Sequence, residues 1–487
     1  MQSHAGRGVL LVAGLAALVV VSGRSGSGQE RDSSAVQGHS RYTVVDLGTP
    51  GGDESFMNEG GGPTFPSSNI LNSAGRAAVI GFTTIPDVYK AFSNRPPGRQ
   101  TNLGVLPEGA PTGSQTPCFD CPWASWAFWI SESGMIVGQS ANNLIDPLIG
   151  APAFLAVAWK GGKIVNLGTL GGNQSAAGAV NRRGDVAGAA LNATSDAFPG
   201  RFPYSDFFFL GNGTESHAVL WRNGETHDLK TLGGPDSAAF FVNEDGLVAG
   251  ASDVDFGAYG TIENPDGGPT VHPFLWQDGR MHDLMADAPA GMFGGTYGIA
   301  TWLNNRGQVT GTMNLTGDRT WRSFFWDRGV VRDLGTLGGI LTTSSWLSDT
   351  GAVVGKSDVT DLCTTCAPGN QKQLHHPFIW KRGVMTDLGV LPGDNAGSAF
   401  SINRNEQVVG RSVVCRRVTT EGGCNGQYHA FLWERGSIID LQRLVEPGSG
   451  ITVDAANEIN DRGEILGSGV LPNGERHAIL LIPRDRD

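Results

Sequence analysis

Positive charge is scarce in this chain. Lysine and arginine number 35 against 47 aspartates and glutamates, the formal charge is -12, and no Lys/Arg run occurs anywhere. Nucleic acid and anionic membrane surfaces both demand a clustered positive field, so neither is expected as a partner. Long apolar runs are missing as well. The one extended run, residues 9–21, holds thirteen residues, whereas a spanning helix needs roughly 20. With Arg7 before it and the polar string SGRSGSGQERDSS after it, the run has the layout of a secretory signal. Residues 1–23 are therefore expected to be a cleaved signal peptide, 24–41 a disordered linker, and 42–487 the folded part. No cysteine follows the run, which argues against a lipoprotein anchor. The mature chain is expected to be secreted or to reside in the cell envelope, off the membrane.

Glycine, by contrast, is abundant. Its 72 residues are about twice the usual ~7%, while apolar content is ordinary, so the excess marks frequent turns between short strands. A signature of the form apolar-Asn-x-x-Gly-x-apolar-apolar-Gly, as in VNRRGDVAG at 180–188, occurs in eight versions. Ser131 and Ser348 replace the Asn in two of them, Glu406 replaces the first Gly in one, and a looser copy spans 71–81. The closing glycines are Gly81, Gly138, Gly188, Gly250, Gly311, Gly355, Gly410 and Gly467, a period of 44 to 62 residues. A second element keeps pace with it, a strand ending in Trp159, Trp221, Trp276, Trp326, Trp380 or Trp433, with Phe92 and Leu481 in the outer copies. A short turn leads from it to Asn102, Asn166, Asp228, Asp283, Asp333, Asp387 or Asp440, each followed by Leu.

The two ends of the chain are incomplete in reciprocal ways. Asp46-Leu47-Gly48 stands without its partner strand, and HAILLI at 477–482 stands without its own. An open stack would need polar caps; a ring lets each end supply what the other lacks and removes open edges. The expected fold is all-β, a single β-propeller of eight four-stranded blades, closed by strand 42–47 pairing with 477–482. Seven blades with an irregular N-terminal segment is the alternative, because residues 49–102 fit the repeat poorly. Antiparallel order places both tight turns of each blade on one face. The long variable segments 191–216, 253–271, 358–375 and 413–428 then fall on the other, which is the expected working face.

The string HAFLW at 429–433, with relatives at His217, His272 and His376, and the strings DLGTLGG at Asp333 and NLGTLGG at Asn166, resemble the bacterial extracellular HAF repeat family. The resemblance runs from Tyr42 to Ile482 and implies export and a repeat fold, with no catalytic residues or ligand attached to it. Arg322 and Leu155 stand in place of the His in two copies.

A histidine repeated once per blade occupies radially equivalent places, so it is expected to hydrogen-bond within the blade while the Trp fills the space between sheets. The Asp of Asp-Leu-Gly and the signature Asn are expected to accept backbone amides in their turns. GTLGG at 335–339 lacks the Lys and Ser/Thr of a nucleotide loop and is a turn. The six cysteines lie only on variable segments, and disulfides Cys118–Cys121, Cys363–Cys366 and Cys415–Cys424 are the simplest arrangement in an exported chain. A four-thiolate zinc site from Cys363, Cys366, Cys415 and Cys424 is the other reading. Acidic SDV strings at Ser252 and Ser357 are candidate calcium ligands but lack the alternating oxygens of a recognisable loop. No cofactor is expected.

Aromatic residues on the inserts, Trp123, Trp126, Phe202, Tyr204 and Tyr259, are the candidate ligand contacts, since amphipathic rings suit sugar faces and protein partners. Function is read as an exported, monomeric binding or scaffold module that presents its variable face to a protein or polysaccharide. The competing reading is a propeller enzyme, a glycan hydrolase or lyase at the mouth of the central channel, but no asymmetric carboxylate pair stands out to support it.

Overall fold

The computed structural model describes residues 38–57, 68–84, 88–96, 100–106, 124–148, 150, 152–196, 202, 213–255, 270–318, 320–363, 373–418 and 424–484. The signal-peptide expectation and nearly all of the linker lie outside them.

From Ser40 onward the chain forms eight four-stranded antiparallel sheets. In chain order the blades span 55–102, 125–166, 171–228, 237–283, 298–333, 338–387, 396–440 and 452–483, the last completed by Tyr42–Asp46. Strands are named a to d from the ring axis outward. In blade 3 they are Gly171–Val180, Val186–Ser195, Thr214–Arg222 and Glu225–Asp228. Blade 1 is the irregular one, with two-residue a and d strands, Ser55–Phe56 and Thr101–Asn102, but it is a complete sheet, which rules out the seven-blade alternative.

Ring closure is by strand exchange between the chain ends. Tyr42 pairs with Pro483 and Asp46 with Ile479 in antiparallel register. Tyr42 is buried, and its backbone also bonds the incoming chain: its amide donates to Leu444 O at 2.9 Å and its carbonyl accepts the Glu446 amide at 3.0 Å. His477 Nδ1 lies 2.8 Å from Asp46 Oδ1, so the repeated His–Asp pair of this blade joins residues from opposite ends of the sequence.

One backbone irregularity recurs in blades 2 to 8. Strand a carries a bulge one residue after the Ala, Ser or Gly-facing position, for example between Ala177 and Ala179 and between Ala239 and Phe241. A bulge bends the strand and re-aims the next side chain. It also pushes a carbonyl toward strand b. A Cβ added at Gly188 or Gly250 would lie under 3.0 Å from the carbonyl of Ala176 or Ala238, which explains why the signature closes on glycine. The tryptophans at the repeat position pack inward as the spacing suggests, with Trp159, Trp221, Trp326 and Trp380 buried.

Two outcomes follow from this packing. Gly250→Ala forces backbone against backbone and should lower stability by about 1–3 kcal/mol in urea unfolding. Removing residues up to Leu47 strips the buried Tyr42 and Leu47 from blade 8. At about 1.5–3 kcal/mol for each such side chain, the thermal midpoint should drop and the exposed edge should favour aggregation, checked by light scattering.

Candidate binding site on the ring axis

The polar residues of the repeat make a scaffold of hydrogen bonds. Asn181 Oδ1 accepts the amides of Arg183 and Asp185 at 3.1 and 3.0 Å, as its turn requires. Its Nδ2 does more, donating to Asn243 O of the next blade at 3.0 Å. The same step links Asn243 to Asn304, Asn304 to Ser348, Asn403 to Asn460, Asn460 to Asn72 and Asn72 to Ser131. Serine is too short to continue it: the hydroxyls of Ser131 and Ser348 bond within their own turns. The Asn460-to-Asn72 bond is a second closure of the ring.

The Asp of Asp-Leu-Gly accepts the amide two residues on, as expected, for instance Gly335 at Asp333 and Gly389 at Asp387, both 2.8 Å. Its other contact is the blade's histidine: His217–Asp228, His272–Asp283 and His376–Asp387 lie at 2.8 to 2.9 Å. Arg322 takes that place opposite Asp333 at 3.4 Å, and His429 turns instead to Asp394 at 3.0 Å. Burial pushes the carboxyls of Asp228, Asp283 and Asp387 up, but the bonds from histidine and from backbone amides, the histidine charge and, at Asp228, Lys230 together outweigh it and hold them below the usual range. These histidines are structural.

The bulges put a different set of residues on the axis. Trp129, Phe241, Trp302 and Trp346, each two positions before its signature Asn or Ser, meet from blades 2, 4, 5 and 6. Trp302 stacks on Trp346 at 3.7 Å between ring centroids and lies 5.4 Å from Trp129 and 5.5 Å from Phe241. Trp129, Trp302 and Trp346 floor a cavity of about 390 Å³ lined by residues of all eight blades, on the tight-turn face. Its rim is the residue after each signature Asn or Ser. Around the rim, the backbone amide of one blade donates to the side chain of the next: Arg182 to Glu244 at 3.2 Å, Glu244 to Asn305 at 3.1 Å, Asn305 to Asp349 at 3.0 Å and Arg404 to Asp461 at 2.9 Å.

Glu458 occupies the axial position in blade 8. It is buried and accepts the amides of Ile70 and Leu71 at 2.8 and 3.1 Å, where the short a strand of blade 1 leaves them without a ladder partner. Burial raises its carboxyl to about 8. On the opposite face burial likewise raises Asp236 to about 7, and Asp253, with the charges of Asp236 and Asp196 adding to burial, to about 8. Neither oxygen of the fully buried Asp253 has a hydrogen-bond partner among the described residues.

The residues singled out from sequence are distributed otherwise. Cys415 and Cys424 form a disulfide with sequence separation 9. Cys363 is also disulfide-bonded, and its Sγ lies 3.4 Å from Cys415 O in a satellite core shared by the loops of blades 6 and 7. The four-thiolate zinc reading fails on this point, because sulfurs joined in disulfides are not thiolate ligands. Cys118, Cys121 and Cys366 lie outside the described residues, as do Trp123, Tyr204 and Tyr259. Trp126 and Phe202 are interior residues of the main core, at 8% and 2% exposure, Trp126 packed on Phe154 at 5.1 Å between ring centroids. Asp253 and Asp358, from the SDV strings, are not part of any metal-holding cluster among the described residues. The axial floor and rim escaped sequence reading; the signal was present in the charged residue that follows the Asn or Ser in six of eight turns.

No family model matches the chain, and no curated protein does. Among solved structures it is similar to a prolyl endopeptidase (8% identity, TM-score 0.44, 95% of this chain and 57% of that one) and to Trypanosoma rangeli sialidase (9%, 0.31, 90% and 59%). An ulvan lyase of a polysaccharide lyase family also matches (9%, 0.35, 90% and 94%). The chain thus spans less than three fifths of the first two. At these scores the likeness carries no functional argument, and the propeller stands on its own sheet order.

The buried acids imply a pH profile. An acid whose folded pKa is raised contributes stability that is fully present below its unfolded value, near 4, and lost as pH rises through the folded one. Asp236, Asp253 and Glu458 place that loss between about pH 4 and 8. The lowered Asp228, Asp283 and Asp387 act oppositely, losing their contribution only as pH falls below the usual carboxyl range. The thermal midpoint should peak in mildly acidic buffer and decline toward pH 8, and Glu458→Gln, which keeps an acceptor for both amides, should flatten the decline.

Proposed function

We propose that the chain is an exported binding module of the HAF-repeat type that offers the b–c loop face of its propeller to a protein or polysaccharide, a protein being favoured. The observation that carries this reading is where exposed apolar surface collects. Of the eight exposed large hydrophobics among the described residues, five sit on that face: Leu144, Ile145 and Leu148 in blade 2, and Ile340 and Leu362 in blade 6. Grouped aliphatic exposure on a rigid scaffold marks a protein contact, whereas sugars are met by flat aromatic rings. The Cys415–Cys424 staple and the Arg411 guanidinium over the Tyr428 ring at 4.3 Å fix the base of the blade 7 loop, which supports its use as a preorganised contact. A disulfide, and no helix among the described residues long and apolar enough to cross a membrane, are in keeping with export.

The enzyme reading draws on the carboxylates at the axial mouth. Those acids accept amides of the neighbouring blade, which makes them rivets of the ring first. The test sets the purified chain beside Leu144→Asp/Leu148→Asp on a glycan array and in a pull-down from envelope fractions. Loss of a captured protein in the double variant, at unchanged thermal midpoint, is expected. A glycan bound equally by both forms would replace the protein reading, and hydrolysis of that glycan abolished by one Asp or Glu change at the mouth would replace the binding module with an enzyme.

A further inference from the structure

The loop-face reading leaves the axial cavity on the opposite face without a role. We propose that this cavity is a binding site for an organic cation, an alkylammonium group either free or carried on a side chain. Its floor is lined by Trp129, Trp302 and Trp346, of which the half-buried Trp346, backed by its stacking on Trp302, is the most open to the cavity, and indole is the best of the natural cation–π surfaces. Its rim carries Glu132, Glu244, Asp349 and Asp461 against Arg182 and Arg404. Four acids less two bases leave a formal -2 at the mouth. One of the two guanidiniums is already matched, since Arg404 lies 3.1 Å from Asp461 and 4.0 Å from Asp349. A concave site with walls of low dielectric focuses such a charge.

The rim bonds hold Glu244 and Asp349 in position through neutral donors. These are the Arg182 backbone amide at Glu244, and at Asp349 the Asn305 backbone amide joined by its carboxamide at 3.2 Å. The geometry selects among cations. Each acid comes from a different blade and none of the described acids converge as a metal-holding cluster, so a small divalent ion finds no coordination shell. A large cation of diffuse charge needs no convergent shell, only a negative rim and an aromatic floor. A neutral sugar could use the floor, but the net charge adds nothing to its binding. The volume of about 390 Å³ is within the range of small-molecule sites, roughly 300–1,000 Å³.

Titration of the whole chain, followed by tryptophan fluorescence and calorimetry, tests this with four probes: choline, n-butylamine as the analogue of a lysine side chain, 3,3-dimethylbutanol as the uncharged isostere of choline, and N-acetylglucosamine. Saturable quenching by choline or butylammonium is expected, with the isostere about tenfold or more weaker and binding reduced by salt. Glu244→Gln/Asp349→Asn, which keeps an acceptor oxygen at each rim bond, should weaken the cation by about tenfold or more. Arg182→Gln removes a positive charge without touching the acids and should tighten binding several-fold, which keeps the test open should the double variant fold poorly. Equal binding of the isostere or of the sugar, no saturable cation binding, or an affinity indifferent to both sets of variants would overturn the proposal.

Discussion

The propeller depends on a recurring misfit between two adjacent strands. In seven blades the strand nearest the axis carries one residue more than its partner, and the carbonyl displaced by that bulge occupies the volume a side chain would need on strand b. Glycine there is a steric requirement, and it recurs because the bulge recurs. The bulge also reverses which residues of strand a face inward below it. That reversal is why Trp129, Trp302 and Trp346 reach the axis.

This explains what could be read from the sequence and what could not. The closing glycine and the Asn of the turn are fixed by backbone geometry, so they repeat, and their spacing was enough to count blades. The reciprocal ends, Asp46-Leu47-Gly48 and 477–482, declared a ring because a hairpin unit was visibly split between them. The bulge itself has no residue signature: the extra position is Gly178 in one blade, Phe240 in another and Thr301 in a third. A strict two-residue alternation carried through it assigns the wrong side chains to the axis. The rim residues were hidden for a different reason. Strings such as NEDG and SDTG read as solvated turns, and only the radial geometry brings Glu244 and Asp349 round one opening.

Two roles of the repeated polar residues were also separable only in three dimensions. The expectation that Asn accepts amides in its turn was half of its part, since Nδ2 reaches the following blade and makes the ring of bonds from Asn181 through Asn243 and Asn304 to Ser348. Trp126 and Phe202 show the converse failure. Trp126 lies on strand a of blade 2 rather than on an insert, and both it and Phe202 belong to the main core. The variable segments are thus sites of local structure as well as of contact, as the shared cluster around Cys363 and Cys415 illustrates.

The pairing of Asp46 with His477, 431 residues apart, has a consequence for how the molecule is made. Strand Tyr42–Asp46 waits during synthesis for strand Arg476–Pro483, so no nascent chain that lacks the latter contains a closed circle. Closure of the fold is thereby tied to the arrival of that strand, and a product released before it presents an unsatisfied edge that proofreading proteases and chaperones can recognise.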